Sequence, residues 1–180
     1  MTTMTMTEAP RTTGQTLRST VRRAARRPLA TTPSRGALVA RAGLAALLFP
    51  HGAQHALGWL GGYGFGGTHY WMTGSLGFPG WAATLAIVTE LVAPFALLLG
   101  LAGRVAALGV VGLMLGALST HAPNGFFMNW FAALPAGAEG FEYHLVVITL
   151  ALVVVVEGSG AASLDGRLGR PRASENGGRS

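Results

Sequence analysis

His51, Gln54 and His55 stand at positions i, i+3 and i+4, a spacing that gathers three polar side chains on one face of a helix. The residues around them are apolar, and so are those around Glu90. A charge at mid-bilayer costs on the order of 3 kcal/mol on insertion scales, so an ionisable group in such a segment needs a partner or a role. Glu90 lies nine residues after Trp81, and His51 nine residues before Leu60. At 1.5 Å per residue both sit about 13 Å inward of those boundaries, which predicts a Glu90–His51 pair across antiparallel helices. His121 and Asn124, then Glu142 and His144, bring further polar groups to the same end of two later apolar segments. Three chemistries fit this layer. It could be a buried hydrogen bond that fixes helix register, or a proton-handling or quinone-binding site. The third is a metal site on His51 and His55, completed by Glu90 or Glu142. Two histidines and a distant carboxylate make a thin ligand set, so no metal is assigned.

Other chemistries are excluded or unsupported. The chain has no cysteine, which rules out disulfide, thiolate-metal and iron–sulfur chemistry on its own residues. The one aspartate, Asp165, is expected across the membrane from all five histidines, so no Ser-His-Asp triad forms. His69 falls in a stretch holding Gly61, Gly62, Gly64, Gly66 and Gly67. That stretch lacks the Lys-Ser or Lys-Thr step of a phosphate loop, and it reads as a turn facing headgroups or solvent. The net charge of +6 comes from arginine alone, since the 13 basic residues include no lysine. These arginines gather in the tails rather than on a folded face, and nucleic-acid binding is not expected. The Arg, Gly and Ala bias resembles the codon bias of a GC-rich bacterial genome, the source expected from composition.

The elements that must position the polar layer are transmembrane helices. Residues 1–35 form a Thr/Arg-rich arm without apolar period, expected to be disordered and cytoplasmic. Its knot of Arg22, Arg23, Arg26 and Arg27 suits anchoring to anionic lipid and a topology signal, with export or transit-peptide roles as alternatives. A membrane domain follows over 36–165 and a polar cytoplasmic tail over 166–180. The first span is read from about Gly36 to Leu60, kinked by Pro50, with Arg41 snorkelling to headgroups. The second runs Trp81–Leu101 and the third Val105 to about His121, where Gly112 and Gly116 give the small-xxx-small spacing of close helix packing. The fourth begins near Phe141 and fades near Ala162. Four crossings place every arginine on one side, which orients both termini to the cytoplasm. All four Trp and all three Tyr lie at the other side, as an aromatic belt would. The fold expected is an all-α, four-helix polytopic membrane bundle.

Several of these pieces together resemble a known family. Phe49-Pro50-His51-Gly52-Ala53-Gln54-His55, continuing to Gly58-Trp59, is similar to the opening signature of the DoxX family. Glu90, the turn from Gly100-Leu101 to Arg104, Asn124-Gly125-Phe126-Phe127, Glu142-Tyr143 and Ser163-Leu164-Asp165 agree with it. The resemblance covers about Leu38 to Arg167. One departure is His55, where the family commonly has lysine. The resemblance implies a small four-helix membrane protein similar to the small subunit of a thiosulfate:quinone oxidoreductase.

The expectation is therefore an inner-membrane, multi-pass protein acting as an accessory or quinone-interacting subunit of a membrane redox complex. Glu90 and His51 would exchange the proton with a quinone head, and Gln54, His121, Asn124 and Glu142 would line its site. Phe126, Phe127 and Trp130 would cover the mouth or join the belt. Lipid, a soluble or membrane redox partner and a second copy of the chain are the partners expected. A lipid-binding or partner-recruiting scaffold, and a proton-coupled transporter or small channel, are the alternatives.

Overall fold

The structure is a computed structural model that describes residues 31–131, 135 and 138–169. The arginine knot of the arm and the tail beyond Gly169 lie outside the described residues. Among those described, the regular elements are all helices. α1 spans Arg35–Gly52 and starts at Ser34, whose hydroxyl accepts from the Ala37 amide at 3.2 Å, a standard N-cap. It runs on into a π-helical turn over Ala53–Leu57 and a 3-10 turn at Trp59–Gly61. α2 (Gly64–Gly74), α3 (Gly80–Leu99), α4 (Gly103–His121), α5 (Glu142–Glu157) and the short α6 (Leu164–Leu168) follow. The glycine-rich stretch expected as a turn thus holds an 11-residue helix, α2.

α1 packs on α3 and α5, and α4 on α3 and α5, so these four helices close a ring round one core. Three helical stretches are long and apolar enough to cross a membrane: Arg35–Leu57, Gly80–Leu99 and Gly103–Asn124. α5 is shorter than the expected fourth span. It has 16 residues, about 24 Å at 1.5 Å each, and stops where Gly158 turns to positive φ.

Lipid tails are as apolar as leucine, so helices in a bilayer associate through close packing rather than through the hydrophobic effect. The core suits this, with Ala40, Ala45, Ala93, Ala107 and Ala151 set between Leu44, Leu48, Leu97, Val110, Val147 and Val154. The closest approaches use glycines other than the expected pair. A Cβ at Gly52 would collide with the Glu90 backbone, and one at Gly109 would press on Thr89 Cγ2 at 3.2 Å. At Gly112 and Gly116 it would meet nothing, so that motif faces away from its own bundle.

The end at which α1 begins is tied by two buried charges. Arg41 is not turned out to headgroups but is 2% exposed. Its Nη1 donates to the carbonyls of Leu97 and Leu98 at 2.7 and 2.6 Å, and its Nη2 to those of Ala161 and Ala162 at 3.0 and 2.9 Å. The last carbonyls of a helix lack intrahelical partners and carry its negative pole, which explains why a guanidinium at the end of α3 is held inward. Asp165 does the complementary work for α4. It accepts from the Ala102 and Gly103 amides at 2.9 and 3.0 Å and from Ser159 Oγ at 2.6 Å. These bonds fix Ala102 at φ 49°, a left-handed conformation that alanine adopts only when its surroundings impose it.

Candidate functional site

Glu90 and the histidines lie toward the other end of the bundle. Glu90 is on the buried stripe of α3 with Ala83, Ile87, Ala93 and Leu97. Proline has no N–H, so Pro94 leaves the Glu90 carbonyl without its usual i+4 donor. Gly52 of α1 abuts that carbonyl. Two residues before Gly52, Pro50 has likewise removed a helix donor, and the Ala53 amide is shared between the Phe49 and Pro50 carbonyls. The expected kink takes the form of the π turn that follows. Such turns occur often at functional sites because they displace side chains from the helical register.

His55 sits in that turn, and its Nδ1 is 2.5 Å from Glu90 Oε2. The carboxylate is nearly enclosed while the imidazole is partly open, with side chains 9% and 27% exposed. The expected partner, His51, is instead exposed, its ring 6.3 Å from that of His55. The error lies in the depth reference, because Trp81 and Leu60 do not mark one level. The π turn that continues α1 ends at Leu57 and Leu60 turns back at φ 53°, while α3 reaches beyond that end with α2 packed against both. Glu90, ten residues into α3, is therefore level with the last turn of α1.

The remaining polar residues form separate groups rather than one ring. Gln54 Nε2 donates to the Leu60 carbonyl at 3.3 Å and braces the turn. His121 and His144 meet across the α4–α5 seam, ring centroids 4.7 Å apart. His121 Nδ1 lies 2.9 Å from the Ala117 carbonyl. His144 is buried beside Tyr143, whose ring is 6.0 Å away. Asn124 and Glu142 serve the loop: Asn124 donates to the Glu139 carbonyl at 3.0 Å. Glu142 Oε2 accepts from the Met128 amide and from Trp130 Nε1 at 3.3 and 3.2 Å. Phe127 and Trp130 stand out from that loop, 74% and 71% exposed. His69 Nε2 is 3.2 Å from the Gly80 carbonyl and its ring stacks on Phe65, which ties α2 to the start of α3. Among the described residues no three His, Asp or Glu side chains gather in a metal-holding group.

A carboxylate and an imidazole at hydrogen-bond distance within an apolar helix seam can share one proton, since surroundings of low polarity strengthen such a contact. Of the two groups, the imidazole is the one that is partly open.

Comparison with known proteins adds one finding. Residues 36–123 match the family model described as DoxX, a stretch that includes His51, His55, Glu90 and His121. No curated protein and no solved structure matches the chain.

Proposed function

We propose, from the premise that this chain belongs to the DoxX family and is a membrane protein, that it binds the head of a quinone as a subunit of a membrane redox complex. The observation that carries the reading is the His55–Glu90 contact, a proton-sharing pair at an apolar helix seam with its imidazole partly open. Quinone reduction and quinol oxidation both require protons to move with electrons, and neither group need leave its place to pass one. Glu90 holds the proton, His55 passes it, and exposed His51 stands next in line. His121 and His144 are the second pair within reach of a polar head. The electrons come from a partner subunit.

The same reading gives α5 a membrane crossing. Residues 145–156 hold no charged side chain, and Tyr143 and Trp130 sit at the end where an interface would lie. Four crossings then put both arginine-rich ends in the cytoplasm of a bacterial cell, with the polar layer toward the outer face of its inner membrane.

The test is lipid extraction and mass spectrometry of the full chain purified in mild detergent. Wild type should carry quinone, and His55→Ala and Glu90→Gln should lose it while remaining folded. A folded wild type without quinone would refute the assignment.

A further inference from the structure

We infer that proton exchange at Glu90 and His55 is one-sided, open to the histidine-bearing face of the membrane and closed to the face at which α1 begins. This rests on the proposed proton-handling role of the pair.

Between Glu90 and the far end, where Arg104, Glu157 and Asp165 lie, the inward route contains no group that can carry a proton. On α1, residues 42–50 between Arg41 and His51 read Ala-Gly-Leu-Ala-Ala-Leu-Leu-Phe-Pro. On α3, residues 91–99 are Leu, Val, Ala, Pro and Phe only, and residues 105–118 of α4 are as apolar. On α5, Thr149 is the one polar residue of 145–156. It is exposed on the outside of the bundle, with its hydroxyl donating to the Leu145 carbonyl. The interior of this half is filled by Leu44, Leu97, Val110 and Val154, each 0% exposed. From Glu90 to the end of α3 at Leu99 is about 13 Å at 1.5 Å per residue, without space on the bundle axis for a file of water between those side chains. The far end is closed as well, by Arg41 and Asp165 with the carbonyls and amides they hold.

Outward the situation is the reverse. The titratable groups that interact with Glu90 are His55 on α1 and Tyr143 on α5; His51 lies beside His55, and His144 and His121 follow from Tyr143 across the α4–α5 seam. Of these His51 is exposed and His55 partly so. A proton leaving the Glu90 carboxyl breaks its O–H bond and forms an N–H bond on the His55 imidazole, which then releases it to water on the histidine side.

The absence of cysteine makes the full chain its own background for single-cysteine variants. His51→Cys, His55→Cys, Leu48→Cys and Arg167→Cys are expressed in sealed membrane vesicles of each orientation and treated with a membrane-impermeant maleimide. His51→Cys and His55→Cys should be labelled from one face, Arg167→Cys from the other and Leu48→Cys from neither. Labelling of His55→Cys or Leu48→Cys from the Arg167 face would overturn the inference. Labelling of His51→Cys and Arg167→Cys from the same face would overturn it through the membrane crossing on which it depends. In the same vesicles, the infrared carboxyl band that Glu90→Gln removes should follow a pH step on the His51 face. A band that follows the pH of the Arg167 face, or of neither, would overturn it too. None of these readouts requires quinone, so the quinone assignment and the sidedness can fail separately.

Discussion

The single residue that decides most about this chain's interior is one whose spacing said least. His51 and His55 share a helical face, and only the level of α3 against α1 selects His55 as the partner of Glu90. That level depends on where two helices begin and end, which the spacing of polar residues does not encode. Arg41 shows the same limit. An arginine near the end of a membrane helix has a stem long enough to reach headgroups, yet its guanidinium instead satisfies four carbonyls from two distant segments. Nothing in the local sequence marks residues 161 and 162 as its partners. Arg41→Met should therefore take the guanidinium's bonds from the Leu98, Ala161 and Ala162 carbonyls, while that of Leu97 keeps the Gly100 amide. The expected cost is on the order of 3 kcal/mol, since a hydrogen bond to a charged group contributes about 1.5–3 kcal/mol and these carbonyls are only partly buried. Asp165→Asn should cost less, about 1–2 kcal/mol, because the amide oxygen still accepts at the start of α4. Thermal unfolding in detergent reads both, and an Arg41→Met protein as stable as wild type would contradict the inward role.

At the scale of elements, the apolar runs located α1, α3 and α4 within a few residues, because a long uncharged run has few folded alternatives to a membrane helix. The run that became α5 was recognised too, but its end was not. Gly158 and Gly160 turn at φ 83° and 70° so that residues 159–165 can reach back to Arg41 and α4. Glycine spacing misled for a related reason: the small-xxx-small pattern says that a close approach is possible but not which neighbour makes it. Gly52→Ala should cost about 1–3 kcal/mol through forced separation of α1 and α3, and should weaken the His55–Glu90 contact with it. Gly112→Ala should be neutral or stabilising by up to about 1 kcal/mol, since its face is open and alanine favours helix. Denaturant or thermal midpoints of the two variants compare them directly, and equal losses would contradict the packing described.

For the whole molecule, the polar groups divide by end. One end is a closed knot of buried charge that joins the helix termini, and the other holds His55, Glu90, His121 and His144 between apolar helices with His51 exposed beside them. The division follows from the sequence, where each long helix is polar near one end and apolar through the rest. How the polar end subdivides did not follow, because Asn124 and Glu142 hold the loop that carries Phe127 and Trp130. The central claim is that His55 and Glu90 act together on a quinone head. Equilibrium binding of a short-chain quinone to the purified full chain tests it most directly, across wild type, His55→Ala, Glu90→Gln and the double variant. Each single change should weaken binding by about 1.5–3 kcal/mol, the range of hydrogen bonds to charged groups, and the double variant should bind no worse than either. Binding that is absent in wild type, or unchanged in both single variants, would contradict it.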